Sequence, residues 1–168
     1  GGIMKHHAWP LFSSPLFSIE TGLKKNELKR LETKLKKEKT IHSPINKISE
    51  NPKQNSFHTG VEGVLQKEEY ETLKDVVIKS IRFINDTYFK YKTNFIISKS
   101  WVASASSKSS CTTHRHHNCF LSGVVYIKAK EECGDIEFEN FNHRDISVEP
   151  RHKDTLYNVE RFWVTPTP

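Results

Sequence analysis

Three histidines crowd into four positions at His114, His116 and His117, flanked by Cys111 and Cys119. Side chains alternate across an extended chain, so His114 and His116 of a His-x-His pair meet on one side. Two imidazoles on one side suit two ligand positions of one metal ion. The same stretch also offers a mixed sulfur and nitrogen set, Cys111, His114, His116, His117 and Cys119, of the kind zinc accepts. Its spacing, Cys-x2-His-x-His-His-x-Cys, differs from fingers and ribbons, where two ligand pairs stand a dozen or more residues apart. Cys119 has a simpler reading as a small buried hydrophobe opening a strand. An exposed, histidine-rich loop is the bland alternative to any metal site.

Such ligands need a rigid floor, and the elements around them are legible. Cys119 to Lys128 reads as a strand, and Asp135 to Glu139 alternates cleanly as its hairpin partner. Phe95 to Val102 and Glu160 to Thr165 read as further strands, with Ala103 to Cys111 a loop or weak strand. Upstream, Thr21 to Lys39 reads as a helix with Leu28, Leu31 and Leu35 on one stripe. Glu68 to Lys92 reads as a second helix, with Leu73, Val77, Ile81, Ile84 and Tyr88 on one face, acids at its start and lysines at its end. Phe83, Tyr88, Phe89 and Tyr91 read as core packing. Two prolines make Trp9 to Ile19 an edge strand or extended arm. Residues 40–63 and 142–158 read as polar loops. Helices followed only by strands imply an α+β fold with a β-sandwich or barrel at its heart.

Composition bounds the classes. The chain of 168 residues suits one domain. No run approaches the ~18–20 apolar residues of a membrane span, and the start lacks the apolar core of a signal peptide. Three cysteines are too few and too odd for a disulfide framework, so they read as reduced thiols of a cytoplasmic protein. Nearly all of the net charge of +6 sits between Lys24 and Lys39, where eight bases face three acids. That segment is a solvated helix face or a nucleic-acid contact. No aromatic residue interleaves with the lysines, so it is not a stacking platform for single strands.

His114-Arg-His-His-Asn-Cys-Phe-Leu-Ser-Gly-Val-Val-Tyr-Ile127, then Cys133-Gly-Asp-Ile-Glu-Phe-Glu-Asn140, resembles a family of 2-oxoglutarate- and iron(II)-dependent oxygenases of marine bacteria and their phages. Members carry His-x-His-Pro-Asn-Ser, then Ser-Gly-Val-Tyr-Tyr, then Ser-Gly-Asp-Ile-x-Phe. Leu11 to Phe17, Ser100-Trp-Val102 and Tyr157-Asn158 are similar to further family segments, in the same order. The resemblance implies a double-stranded β-helix, a cupin-like jelly roll, with the N-terminal helices packed outside. It makes 1–168 one oxygenase-like domain, with an arm and helices over 9–93 and the first part of the barrel over 94–168.

The implied chemistry is hydroxylation of a substrate, coupled to conversion of 2-oxoglutarate to succinate and carbon dioxide. The implied cofactors are Fe(II) and 2-oxoglutarate, with iron held by a facial triad that leaves positions open. Carried over by position, His114 is the first metal ligand and His116 the second, where the wider superfamily has Asp or Glu. Tyr126 and Ser122 would face the cosubstrate, and Asn118 would orient a ligand as amides near metals do. The family's proline and serine are His117 and Cys119 here. The third ligand and the arginine that grips 2-oxoglutarate normally follow a Pro-x-x-Gly turn, which would begin near Pro168. The expectation is therefore an incomplete domain, its late strands missing, with His143 and His152 as loop histidines. A non-catalytic jelly-roll binding module with a partial metal site is the alternative.

Overall fold

The computed structural model describes residues 14–42, 56–60, 63–106, 109–130, 133–140, 155 and 159–167. Residues 9–13 of the expected arm, most of both polar loops, His143, His152 and the Tyr157-Asn158 pair lie outside the described residues. Among the described residues, two α-helices, short 3-10 and π turns and two small antiparallel sheets make up the regular structure, consistent with an α+β layout.

Helix α1 spans Lys25–Leu35. The Glu27 carboxylate accepts the Lys24 backbone N–H at 2.8 Å. This is the half of a capping box open to a chain with lysine at the cap, since an ammonium has no acceptor to return. The leucine stripe is real: Leu31 and Leu35 are buried. The helix stops four residues short of Lys39, and its tail is held instead by Glu38. That carboxylate accepts from the Tyr70 hydroxyl at 2.8 Å and from Lys67 Nζ at 2.5 Å.

The second helix expected over 68–92 is divided. A 3-10 turn at Glu68–Tyr70 leads into α2 at Glu71–Ile84, which then widens into a π turn at Asn85–Phe89. The π turn ends on Lys90 in the left-handed region (φ 60°), whose N–H bonds Asn85 O at 2.7 Å. The Asn85 side chain clasps Tyr91, accepting its N–H at 3.1 Å and donating to its carbonyl at 3.0 Å. Hydrophobic periodicity continues through this break because the side chains stay apolar while the backbone changes pitch.

The buried core consists of Leu31, Leu35, Val64, Tyr70 and Leu73, with Leu23, Leu65, Val102, Val125 and Ile127 packed against it. Tyr70 sits at its centre and is 1% exposed. The expected aromatic core is corrected: Phe83, Tyr88 and Tyr91 are more than half exposed. Tyr88, Phe89 and Tyr91 instead join Phe17, Phe95 and Phe120 in a cluster of ring contacts at the surface.

Strand assignments change most. A three-stranded sheet joins β1 (Ile41–His42), β2 (Ser56–His58) and β3 (Ala103–Ala105), two of them inside the expected polar loop and one in the expected weak strand. The expected strands Phe95–Val102 and Cys119–Lys128 form no ladder. The first accepts hydrogen bonds from a turn, Val64 N–H to Ser100 O at 3.2 Å and Gln66 Nε2 to Ile97 O at 3.0 Å, and at its end Val102 exchanges bonds with Thr59, Thr59 N–H to Val102 O and Val102 N–H to Thr59 Oγ1, both at 3.0 Å. The second puts alternate residues, Val125 and Ile127, onto the core. Alternation reports which side chains are covered, and does not name the backbone's partner. β4 (Ile136–Glu139) therefore pairs with β5 (Arg161–Val164) and not with 119–128. Arg161 bridges both Glu137 and Glu139 at 3.0 Å across that pair. No barrel closes among the described residues.

Candidate metal centre

The histidine segment leaves β3 and runs without regular structure from Ser109 to Lys130. Its conformation is set by local contacts. His114 Nδ1 lies 2.8 Å from Thr112 O. With the proton on Nδ1 donated to that carbonyl, the lone pair is left on Nε2, the tautomer a metal ligand needs. Cys111 Sγ stands 3.8 Å from the same Nδ1.

The His116 ring lies against Trp101, centroids 5.3 Å apart and tilted by 50°. It meets His114 edge to face at 5.0 Å. Desolvation, then the neighbouring His114 and His117, lower the His116 imidazole from its ordinary value. Trp101 is the residue that sequence reasoning missed here. Its place before the histidines was visible, but its packing on one of them follows from the turn between.

Asn118 follows with φ 59°. Asparagine tolerates this left-handed conformation better than most residues. It reverses the chain between the histidines and Phe120, which enters the aromatic cluster. Cys119 Sγ donates to His116 O at 3.5 Å. The reading of Cys119 as a buried hydrophobe is corrected, because all three cysteines are free and exposed.

An imidazole bound at ~2.0–2.1 Å puts its ring centre about 3.2 Å from the ion, so two at right angles stand roughly 4.5 Å apart. The observed centroid separation of 5.0 Å is of that size. A complete set does not assemble: among the described residues no group of three His, Cys, Asp or Glu is arranged to hold a metal. The five-residue sulfur and nitrogen set is therefore not brought together there. His58 is committed elsewhere, since its Nδ1 accepts the Gly60 N–H at 2.7 Å.

Three further candidates stand apart from the pair. No hydrogen bond or ring contact joins Asn118, Ser122 or Tyr126 to either histidine among the described residues. Ser122 is exposed and Tyr126 half-buried. Burial, then Cys133, pushes the Tyr126 phenol up. A cavity of about 390 Å³ opens between the approach to α1 and α2, lined by Thr21, Leu23, Glu27, Thr72, Asp75 and Lys79. None of the histidines lines it, and its Glu27 carboxylate is already spent on the helix cap.

A model of the family described as "Putative 2OG-Fe(II) oxygenase" matches residues 99–168. No curated protein and no solved structure matches the chain. The matched segment contains Trp101, both histidines of the pair and the β4–β5 sheet. The match supports oxidoreductase chemistry of the oxygenase class, for which Fe(II) and 2-oxoglutarate are the implied cofactors. No described helix is long and apolar enough to cross a membrane.

Proposed function

We propose that segment 99–168 belongs to a 2-oxoglutarate- and Fe(II)-dependent dioxygenase that hydroxylates its substrate, with His114 and His116 as two of the iron ligands. One observation carries the reading: the two imidazoles meet at 5.0 Å inside the stretch that the oxygenase family model spans. In this reading the double-stranded β-helix is the architecture of the whole catalytic unit, and β4 and β5 are part of it. Bound iron with 2-oxoglutarate supplies oxidative chemistry that side chains alone lack.

The chain's own residues supply positioning. Thr112 O holds His114 with Nε2 free, and Trp101 covers one side of His116. Asn118 acts through the backbone, turning the chain after the pair. Tyr126 and Ser122 are the proposed cosubstrate contacts. Two neutral imidazoles leave the ion's full positive charge for anionic ligands, which favours a dicarboxylate cosubstrate.

Anaerobic titration with Fe(II) and 2-oxoglutarate tests this directly. The expected result is a weak visible charge-transfer band, lost in His114→Ala and His116→Ala. Fe(II) should also quench the fluorescence component that disappears in Trp101→Phe, since that indole lies against His116. Neither band nor quenching at millimolar Fe(II), in this chain and in a version extended past Pro168, would sink the reading.

A further inference from the structure

The segment around α1 sorts its charges. Each of its three acids is partly covered and committed internally. Glu27 caps the helix through the Lys24 N–H. Glu32 pairs with Lys36 at 2.7 Å and with Lys128, 96 residues away, at 2.6 Å. Glu38 takes Lys67 and the Tyr70 hydroxyl. Two of the bases are also spent, Lys36 on Glu32 and Lys34 on the Glu69 carbonyl at 2.9 Å.

The other six bases, Lys24, Lys25, Lys29, Arg30, Lys37 and Lys39, are all exposed and have no acidic partner among the described residues. Lys25 and Lys29 are one turn apart on the same side of α1, with Arg30 beside Lys29 around the helix. Leu31 and Leu35 face the other way into the core. A helical face that mixed its acids and bases would cancel its own field. Here the acids are tied to the Lys24 N–H, Lys128, Lys67 and Tyr70, while six bases face solvent with no acidic partner among the described residues.

We infer that this face of α1 is a docking surface for the phosphate backbone of a nucleic-acid duplex. A duplex carries one charge per ~1.7 Å of axis, and releasing its condensed counterions rewards a row of unpaired cations. The face bears no aromatic side chain, so it offers no platform on which unpaired bases could stack. It does not suit insertion into a bilayer, because the leucines that would insert are already buried against Tyr70, Val64 and Leu73. The surface contacts phosphates without sequence preference. The inference stands independently of the oxygenase reading, since it uses no residue of the histidine segment.

Fluorescence anisotropy of the whole chain with a mixed-sequence 20-base-pair DNA provides the test. With about six phosphate contacts, affinity should fall roughly a thousandfold between 50 and 200 mM salt, a log–log slope near −5. The triple variant Lys25→Glu, Lys29→Glu, Arg30→Glu should weaken binding and flatten that slope by about 3. Its circular dichroism should match the parent, as all three side chains are exposed. A Lys34→Gln variant, which loses an internally committed base, should leave the slope nearly unchanged. No binding at 50 mM salt, an unchanged slope in the triple variant, or tighter binding to phosphatidylserine vesicles than to the duplex would each overturn the inference.

Discussion

At the scale of single residues, the candidate site depends on backbone as much as on ligands. Asn118 holds φ 59° two residues after His116. A Cβ-bearing residue without asparagine's tolerance costs roughly 1–2 kcal/mol in that conformation. Asn118→Ala is therefore expected to lower stability by about 1 kcal/mol and to weaken Fe(II) binding with it, while Asn118→Gly keeps both; chemical denaturation and metal titration of the two variants compare them. If Asn118 instead orients a ligand through its amide, glycine will fail as badly as alanine. Ser100 is a second exacting residue, only 8% exposed. Its Oγ accepts the Leu65 N–H at 2.9 Å and donates to Gln66 Oε1 at 3.1 Å. Ser100→Ala leaves a half-buried N–H without its acceptor, and a loss of about 1–3 kcal/mol should appear in urea unfolding.

At the scale of elements, α1 and α2 are joined by one cluster rather than by extensive packing. Tyr70 fills the centre of the core and reaches Glu38 at the end of the α1 tail. Removing only its hydroxyl, Tyr70→Phe, takes one donor from a carboxylate that keeps Lys67, so the expected cost is about 1 kcal/mol. Tyr70→Ala also opens a cavity and should cost roughly 3–5 kcal/mol, enough to unfold a small core. Thermal melts of the two variants separate the packing from the hydrogen bond. The segment 95–102 behaves differently, docking through Ser100 onto the turn at 63–66 while Val102 packs beside it. It alternates like a strand in sequence, but its backbone bonds go to that turn and, through Val102, to Thr59.

At the scale of the whole molecule, distant parts are tied by carboxylates whose protonation releases them. Lys128, then Lys36, hold Glu32 down to about 2, and Lys67, then Tyr70, lower Glu38. A folded-state value below the unfolded one means stability that is complete above the unfolded pKa and lost as pH falls through the folded one. Tm should therefore drop as pH falls from about 4.5 toward 2. Glu32→Gln should flatten part of that drop, and an unchanged acid limb in this variant would show that the Glu32–Lys128 tie carries no stability. Tyr70 adds the opposite limb. Burial, then Glu38, raises its phenol, so the stability it contributes is complete below the ordinary tyrosine value of 10.0 and declines as pH rises past it.

The sequence by itself determined what depends on neighbours along the chain. The Leu31 and Leu35 stripe, the presence of a helix around Leu73 to Ile84, the β4 and β5 positions and the adjacency of His114 to His116 all follow from local spacing, which a short stretch of backbone enforces alone. Tertiary structure alone decided which backbone pairs with which. It sent β4 to β5 and tied 95–102 to the turn at 63–66. It also decided that Trp101 packs on His116, that Glu32 reaches Lys128 and that Glu38 reaches Lys67 and Tyr70. Each of these rests on contacts between residues far apart in the chain, often between polar groups, and neither hydrophobic period nor local propensity records such partners.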